Sequence, residues 1–199
     1  MILYGAGSFL RKVYETALAA SELPTAYFTE PVDETPSLPI PFMGPYSPQA
    51  YPGEGIFLAF LDNTIRRNLF RRVRHPLSKP LIHPLARVEA SARIGAGTFV
   101  GAGVQIGAGA TIGPLVIIEE QARIEAGVEI AQGAYIGPHT RIEAGVQIGP
   151  YVYLGAGAIL APMAPAQTLS IGEGSLIGPH ARIQTPCPPF CWVPPAKAW

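Results

Sequence analysis

The stretch 100–130, VGAGVQIGAGATIGPLVIIEEQARIEAGVEI, decides the fold. An aliphatic residue stands at every sixth position within it: Val100, Ile106, Ile112, Ile118, Ile124 and Ile130. The rule runs back through Ile94 to Val88 and forward through Ile136, Ile142, Ile148 and Leu154 to Leu160, without exception. Two residues ahead of each aliphatic is a small or β-branched side chain, such as Ala92, Thr98, Ala122, Val152 or Ala158. Neither a helix of period 3.6 nor a strand of period 2 generates such a rule. A six-residue unit with two inward positions describes a short strand followed by a turn. Three such units close a triangular coil, and coils stack at strand spacing. A low-complexity Gly/Ala segment would not hold its aliphatics in register over this length.

Glycine often follows the aliphatic residue, as in Ile94-Gly95, Ile106-Gly107 and Ile148-Gly149, and the pattern reads it as the residue that turns the backbone tightly. Residues 161–170 break the register, which Ile171, Ile177 and Ile183 resume shifted by one; the break predicts a loop leaving the prism. Most of the 22 glycines follow residue 85, so a boundary is expected near Ile82-His83-Pro84. The sequence therefore predicts a mostly β chain: a small Rossmann-like subdomain over 1–80, a parallel β-helix over 81–185 and a proline-rich cap over 186–199. The N-terminal part is expected to cap one end of the prism and the proline-rich tail the other.

Composition narrows the function classes. Lys+Arg and Asp+Glu each number 14, a balance that disfavours non-specific nucleic-acid binding. Hydrophobic residues make up 48% and charged residues 14% of the 199, which excludes a disordered chain. The longest apolar run, 55–61, is too short to span a bilayer, and no basic segment precedes the first apolar one, so a cytoplasmic location is expected. Cys187 and Cys191 have no histidine near them in sequence and read as bystander thiols rather than a zinc site or a disulfide framework.

In the first part of the chain a short apolar strand, 2–4, runs into Gly5-Ala6-Gly7-Ser8-Phe9-Leu10 and then a helical pattern through Val13, Tyr14, Ala17 and Leu18. Strand, glycine-rich turn and helix form the context of a nucleotide-binding fingerprint, although Leu10 replaces its third glycine. A second strand, 26–29, ends at Glu30, an acidic position suited to a ribose or base contact. A third, 56–61, leads into Asp62-Asn63-Thr64-Ile65-Arg66 and a helix carrying Leu69, Phe70 and Val73. Its basic cluster, Arg66, Arg67, Arg71, Arg72 and Arg74, reads mostly as a solvated face, with Arg66 kept as a phosphate candidate. The stretch 31–52, rich in proline, reads as an irregular connection.

Together these features resemble the sugar O/N-acyltransferases of the left-handed β-helix type, the sialic-acid O-acetyltransferase and bacillosamine N-acetyltransferase group. The resemblance rests on Tyr4-Gly5-Ala6-Gly7, Asp62-Asn63-Thr64-Ile65-Arg66, Leu81-Ile82-His83-Pro84, Leu154-Gly155-Ala156-Gly157-Ala158, Ile171-Gly172-Glu173-Gly174 and Pro195-Ala196-Lys197. It implies a homotrimer that takes acetyl-CoA as acyl donor and a nucleotide-linked sugar as acceptor. By position it implies that Gly7, Ser8, Phe9, Glu30, Leu61, Asp62 and Asn63 line the nucleotide pocket, and that Tyr135, Ala156 and Pro179 flank the pantetheine path. Phe9 and Leu61 depart from the family, which has smaller or polar groups there.

The family's general base, a histidine followed by an acid, falls by gapless alignment on Ala126 and Gly127, and Tyr135 occupies a second, CoA-facing histidine position. Among His75, His83, His139 and His180, the candidate for a relocated base is His139. It shares its Gly-Pro-His setting with His180, which equally fits a repeated turn feature. Glu119, Glu120, Glu125 and Glu143 read as surface carboxylates by their offset. The histidines are too scattered for a zinc site, so no metal is expected. The leading reading is an acyl-CoA-dependent transferase acting on an amino or hydroxyl group of a nucleotide-linked sugar. The alternative is a catalytically silent trimer on the same fold that binds a nucleotide sugar or serves as a scaffold.

Overall fold

A computed structural model describes residues 1–29, 37–164 and 167–196. The hexads wind as their spacing predicts, into a left-handed parallel β-helix. Ile106 pairs with Ile124 and Ile124 with Ile142, so three hexads make one coil. The strands stack into three parallel sheets, of seven, six and five strands, which form the faces of the prism. Its interior is a continuous column of buried aliphatics from Val100 to Val193, with the small partners Ala110, Ala122, Ala134 and Ala158 filling the corners. Stacking at strand spacing, about 4.8 Å, sets each inward side chain against its equivalents above and below.

The glycine after the aliphatic has a different role from the one its position suggests. A Cβ on Gly107 would lie 2.5 Å from the backbone nitrogen of Ala126 in the next coil, so this glycine permits close stacking. The positive φ falls two residues later, at Gly109 (+69°). Residues 161–164 leave the six-stranded face and 167–168 lead into the five-stranded one, and beyond them Leu154 pairs with Ile177 and Leu160 with Ile183. The proline-rich tail winds on as a further turn, with Cys187 bridged to Ile171 and Val193 paired with Ile177. Burial among core aliphatics, with contact from Cys191, pushes the Cys187 thiol up to about 12, which suits a packing role.

The N-terminal part contains β1 (Ile2–Gly5), α1 (Gly7–Ala19), β2 (Ala26–Phe28), β3 (Ile56–Ala59) and α2 (Asn63–Arg72). Its parallel sheet has the order β2-β1-β3. The proline-rich connection is anchored by Tyr46 and His75. His75 Nε2 meets the Ala50 carbonyl at 2.7 Å and must donate to it, so Nδ1 accepts from the Tyr46 hydroxyl at 2.9 Å.

This part of the chain covers a side of the prism rather than its end. Leu3, Phe9, Leu10, Val13 and Tyr14 share one buried cluster with Leu81, Phe99, Ile117 and Tyr135, the outward residues of the seven-stranded face. Outward positions on the other two faces are polar over the same coils: Arg87, Arg93, Gln105, Thr111, Arg123 and Glu129. The covered face is therefore marked in sequence by an apolar residue before every third inward aliphatic.

At the edge of this seam Glu119 departs from expectation. It is not a surface carboxylate but is only 3% exposed, because α1 lies over its corner. Lys12 of α1 reaches Glu119 at 2.7 Å and Glu120 at 2.8 Å. Burial and a hydrogen bond with Glu120 raise the Glu119 carboxyl above the ordinary glutamate range, against the pull of Lys12. Glu120 is also penalised by burial, but its bonds with Glu119 and Lys12 outweigh this and hold it low. Of the two, Glu119 is therefore the carboxylate that takes up a proton first as pH falls.

Two outcomes follow from this packing. Ile124→Ala empties a fully buried position and should lower stability by about 2–5 kcal/mol, whereas Arg123→Ala beside it should stay within about 0.5 kcal/mol; urea midpoints compare them. Glu119 has a raised folded pKa, so its stabilisation is full below the ordinary glutamate range and fades as pH rises through the folded value. Glu119→Gln mimics the protonated acid. Its stability relative to the native chain should therefore improve between acidic and neutral pH, and parallel pH profiles would contradict a raised Glu119 carboxyl.

Candidate functional site

In the order β2-β1-β3 the chain leaves the central strand β1 toward one side and returns on the other, so the carboxyl ends of β1 and β3 flank a crevice. Gly5 permits their close approach, since a Cβ there would lie 2.5 Å from Ala59. The two helices that begin at this crevice differ at their starts. Asp62 caps α2, its Oδ1 accepting from the amides of Thr64 at 2.7 Å and Ile65 at 2.9 Å. The N-cap residue of α1, Ala6, makes no side-chain cap, and the first residue of the helix, Gly7, has φ +62° and, among the described residues, open space where a Cβ would point. The first-turn amides and positive helix end of α1 are arranged to receive an anion, whereas α2 supplies its own.

The crevice continues onto the β-helix as a cavity of about 600 Å³. Leu61, Asp62, Asn63, Thr64 and Arg67 line one side; Tyr151, Tyr153, Gly174, Leu176 and Phe190 line the other. Tyr153 stacks on Tyr135 with centroids 4.7 Å apart and 11° between planes. Burial, with Glu119 nearby, pushes the Tyr135 hydroxyl far above its ordinary range and keeps it neutral. Arg67 lies 4.9 Å over the Tyr151 ring and 3.5 Å from Glu173. The wall is thus aromatic and apolar with a few polar groups at its mouth, a composition suited to a small organic ligand. A groove of about 640 Å³ along the five-stranded face, past Thr111, Glu129, Gln147 and Ser170, has no aromatic wall.

Of the residues implied for the nucleotide pocket, Leu61, Asp62 and Asn63 line this cavity. Gly7 stands at the start of α1, and Ser8 lines a smaller hollow of about 330 Å³ with Arg11, Lys12 and His83. Phe9 is buried edge-to-face against Phe99, in the seam and away from the crevice surface. Glu30 lies outside the described residues. Tyr135 does not line the cavity; it is buried behind the wall, stacked on Tyr153. Ala156 and Pro179 occupy successive coils of the corner between the seven- and six-stranded faces, and His139 stands on that same corner, exposed, with φ +57°. Ala126 and Gly127 occupy a different corner, between the six- and five-stranded faces, next to Glu125, which pairs with Arg123 at 2.7 Å. Within one chain the expected base position and the expected pantetheine path are therefore separated by the six-stranded face.

Arg66 is not a surface phosphate ligand. It is 1% exposed, and its guanidinium donates to the carbonyls of Phe60, Leu61 and Gly133 and to Asn63 Oδ1. Burial lowers its pKa to about 10, still charged at neutral pH. Asn63 in turn donates to the carbonyls of Tyr151 at 3.0 Å and Val152 at 3.2 Å. Tyr151, Tyr153, Leu176 and Phe190 were not singled out by sequence; the apolar outward column of every third hexad, Tyr135, Tyr153, Leu176 and Trp192, was the available signal. Among the described residues no helix is long and apolar enough to cross a membrane, and no group of three or more His, Cys, Asp or Glu could hold a metal.

Comparison with known proteins matches this geometry to a class. Residues 91–126, 103–138 and 127–162 match the bacterial transferase hexapeptide (six repeats), so the chain carries the repeat of that class on a left-handed β-helix. Among solved structures it is similar to an H-to-N variant of perosamine N-acetyltransferase from Caulobacter crescentus, in complex with CoA and GDP-perosamine. Identity is 27%, the TM-score is 0.87, and 97% of this chain and 92% of that one are covered. It is also similar to the acetyltransferase domain of PglB from Neisseria gonorrhoeae FA1090, at 25% identity and TM-score 0.84, over 97% and 95% of the two chains. WeeI from Acinetobacter baumannii AYE, at 17% identity and TM-score 0.81 over 96% and 94%, shares the fold. No curated protein matches the chain.

Replacing Asn63 tests the contact between crevice rim and β-helix. Asn63→Ala leaves the Tyr151 carbonyl and one guanidinium hydrogen without their partner, while the Val152 carbonyl keeps the Tyr135 amide, and should destabilise the protein by roughly 1–3 kcal/mol, read as a lower thermal midpoint. An unchanged midpoint would mean that the rim is not held by this residue.

Proposed function

We propose that the chain transfers an acyl group, acetyl in the first instance, from acetyl-CoA to an amino or hydroxyl group of a nucleotide-linked sugar, as a homotrimer in the cytoplasm. Residues 1–80 serve as the nucleotide-sugar-binding subdomain, 81–185 as the β-helix that provides the acyl-donor surface, and 186–199 as its cap. The observation that carries this reading is the cavity between the start of α2 and the aromatic wall of Tyr151 and Tyr153, in a fold aligned over 97% of its length with an N-acetyltransferase crystallised with CoA and GDP-perosamine. The diphosphate would meet the amides at Gly7 and Ser8, and the sugar nucleotide would extend past Leu61, Asp62 and Asn63. Tyr135, Ala156 and Pro179 would flank the pantetheine.

In the reaction the acceptor nitrogen or oxygen bonds to the thioester carbonyl carbon, the C–S bond breaks and CoA leaves as its thiolate. The acceptor's proton goes to a base or to the departing sulfur. Trimer geometry bears on this step, because Ala126 and the corner of Ala156, Pro179 and His139 can meet only across a subunit boundary. General-base assistance contributes about 10²–10⁴ in rate, whereas holding two reactants together supplies roughly 7–11 kcal/mol. An amine acceptor, already nucleophilic once deprotonated, therefore tolerates a displaced base better than a hydroxyl does.

One observation favours the second reading, a trimer that binds a nucleotide sugar without turnover: Ala126 and Gly127 stand at the base position, and no histidine lines the crevice. Thermal shift with acetyl-CoA, UDP and GDP separates these readings from any other, since stabilisation by none removes both. CoA release from acetyl-CoA with UDP- and GDP-linked amino sugars then separates turnover from binding. If His139 is the base, His139→Ala should slow release about 10²–10⁴-fold with acetyl-CoA affinity retained; unchanged turnover removes that role.

A further inference from the structure

We propose that Arg66 is a positioning residue that sets the width of the crevice without touching the ligand. The inference rests on the functional reading above for what the crevice binds, but not for its shape. Arg66 joins three pieces of the molecule at one buried group. Nη1 donates to the carbonyls of Phe60 at 2.7 Å and Leu61 at 2.6 Å, the strand end that forms the crevice rim. Nη2 donates to Asn63 Oδ1 at 2.7 Å, in the first turn of α2, and to the Gly133 carbonyl at 2.8 Å, on the β-helix two residues before Tyr135. One planar group therefore ties the rim to the coil beneath the one that carries Tyr151 and Tyr153.

The choice of residue follows from that geometry. Four acceptors lie around two nitrogens of a rigid fork, which lysine cannot imitate from a single nitrogen with three donors. All four acceptors are uncharged, and the nearest carboxylate, Asp62, is engaged in capping α2. Nε is buried without a hydrogen-bond partner. A buried arginine so arranged is poorly explained as a stabilising ion pair; it is better explained as a device that fixes the conformation of residues 60–63. Asn63 extends the same network to Tyr151 and Val152, so both walls of the cavity are referred to Arg66.

Arg66→Lys, which keeps the charge and loses the fork, tests this in the full-length protein. Hydrogen exchange of the ligand-free variant should rise at residues 61–67 and 133–135 and stay native over the remaining coils. Affinity for whichever of UDP or GDP the native protein binds should fall roughly tenfold or more, with acetyl-CoA affinity within about twofold. Native exchange at the rim overturns the proposal, as does nucleotide affinity equal to that of the native protein. Loss of both ligands in equal measure, with exchange raised throughout, also overturns it and makes Arg66 a general structural residue. If the native protein binds neither UDP nor GDP, the functional reading fails, and the exchange result alone decides for or against Arg66.

Discussion

Everything in this protein depends on the spacing at which backbone coils can stack. Parallel strands sit about 4.8 Å apart, and that distance must be maintained at each corner as well as along each face. The aliphatic at every sixth position fills the interior at this spacing, and its small partner keeps the corner from overfilling. Gly107 illustrates the other half of the constraint, because a Cβ there would collide with the Ala126 backbone of the next coil. A prism built this way is straight and stiff, and its outward residues form columns running its length.

Those columns organise the rest of the molecule. The outward column of the seven-stranded face is apolar from Leu81 to Trp192, whereas the columns on the other faces are chiefly polar. The first four members are buried by α1 and its sheet, which gives the seam its hydrophobic driving force. Apolar contact alone leaves orientation loosely specified. The polar groups at the seam supply it: Lys12 against Glu119 and Glu120 on one edge, Arg66 and Asn63 on the other. Beyond the covered stretch, Tyr153 and Leu176 become the wall of the crevice, so the feature that docks the subdomain also furnishes the site.

The chemistry of that site separates binding from proton transfer. The start of α2 and the aromatic wall of Tyr151 and Tyr153 form a place for a ring-bearing ligand. The residues implied for proton transfer and the acyl donor stand on corners that one chain cannot bring together. In the proposed homotrimer, these corners would meet across a subunit boundary. Assembly would then be a condition of the proposed reaction.

Much was legible in the sequence, and for a definite reason. The hexad rule at Ile106, Ile112, Ile118 and Ile124 is local: each inward position is specified by residues within one coil, so periodicity alone establishes the β-helix. The glycine-rich turn at Gly5–Gly7 and the Asp62 cap are likewise local, and both appear where the strand-to-helix transitions were read. Other features depend on which surface lies opposite. Glu119 has the offset of a solvent-facing carboxylate and becomes buried because α1 covers that corner. Arg66 sits in a run of arginines and differs from them only because its side of α2 faces Gly133. Phe9 follows the nucleotide-binding turn yet packs on Phe99. The sequence by itself determined the coil, its core and the helix starts, because hydrogen bonding and side-chain periodicity act over short separations. Only the tertiary structure decided which face was covered, which charges were buried and which residues formed the crevice, because desolvation is a property of the opposing surface and has no local code.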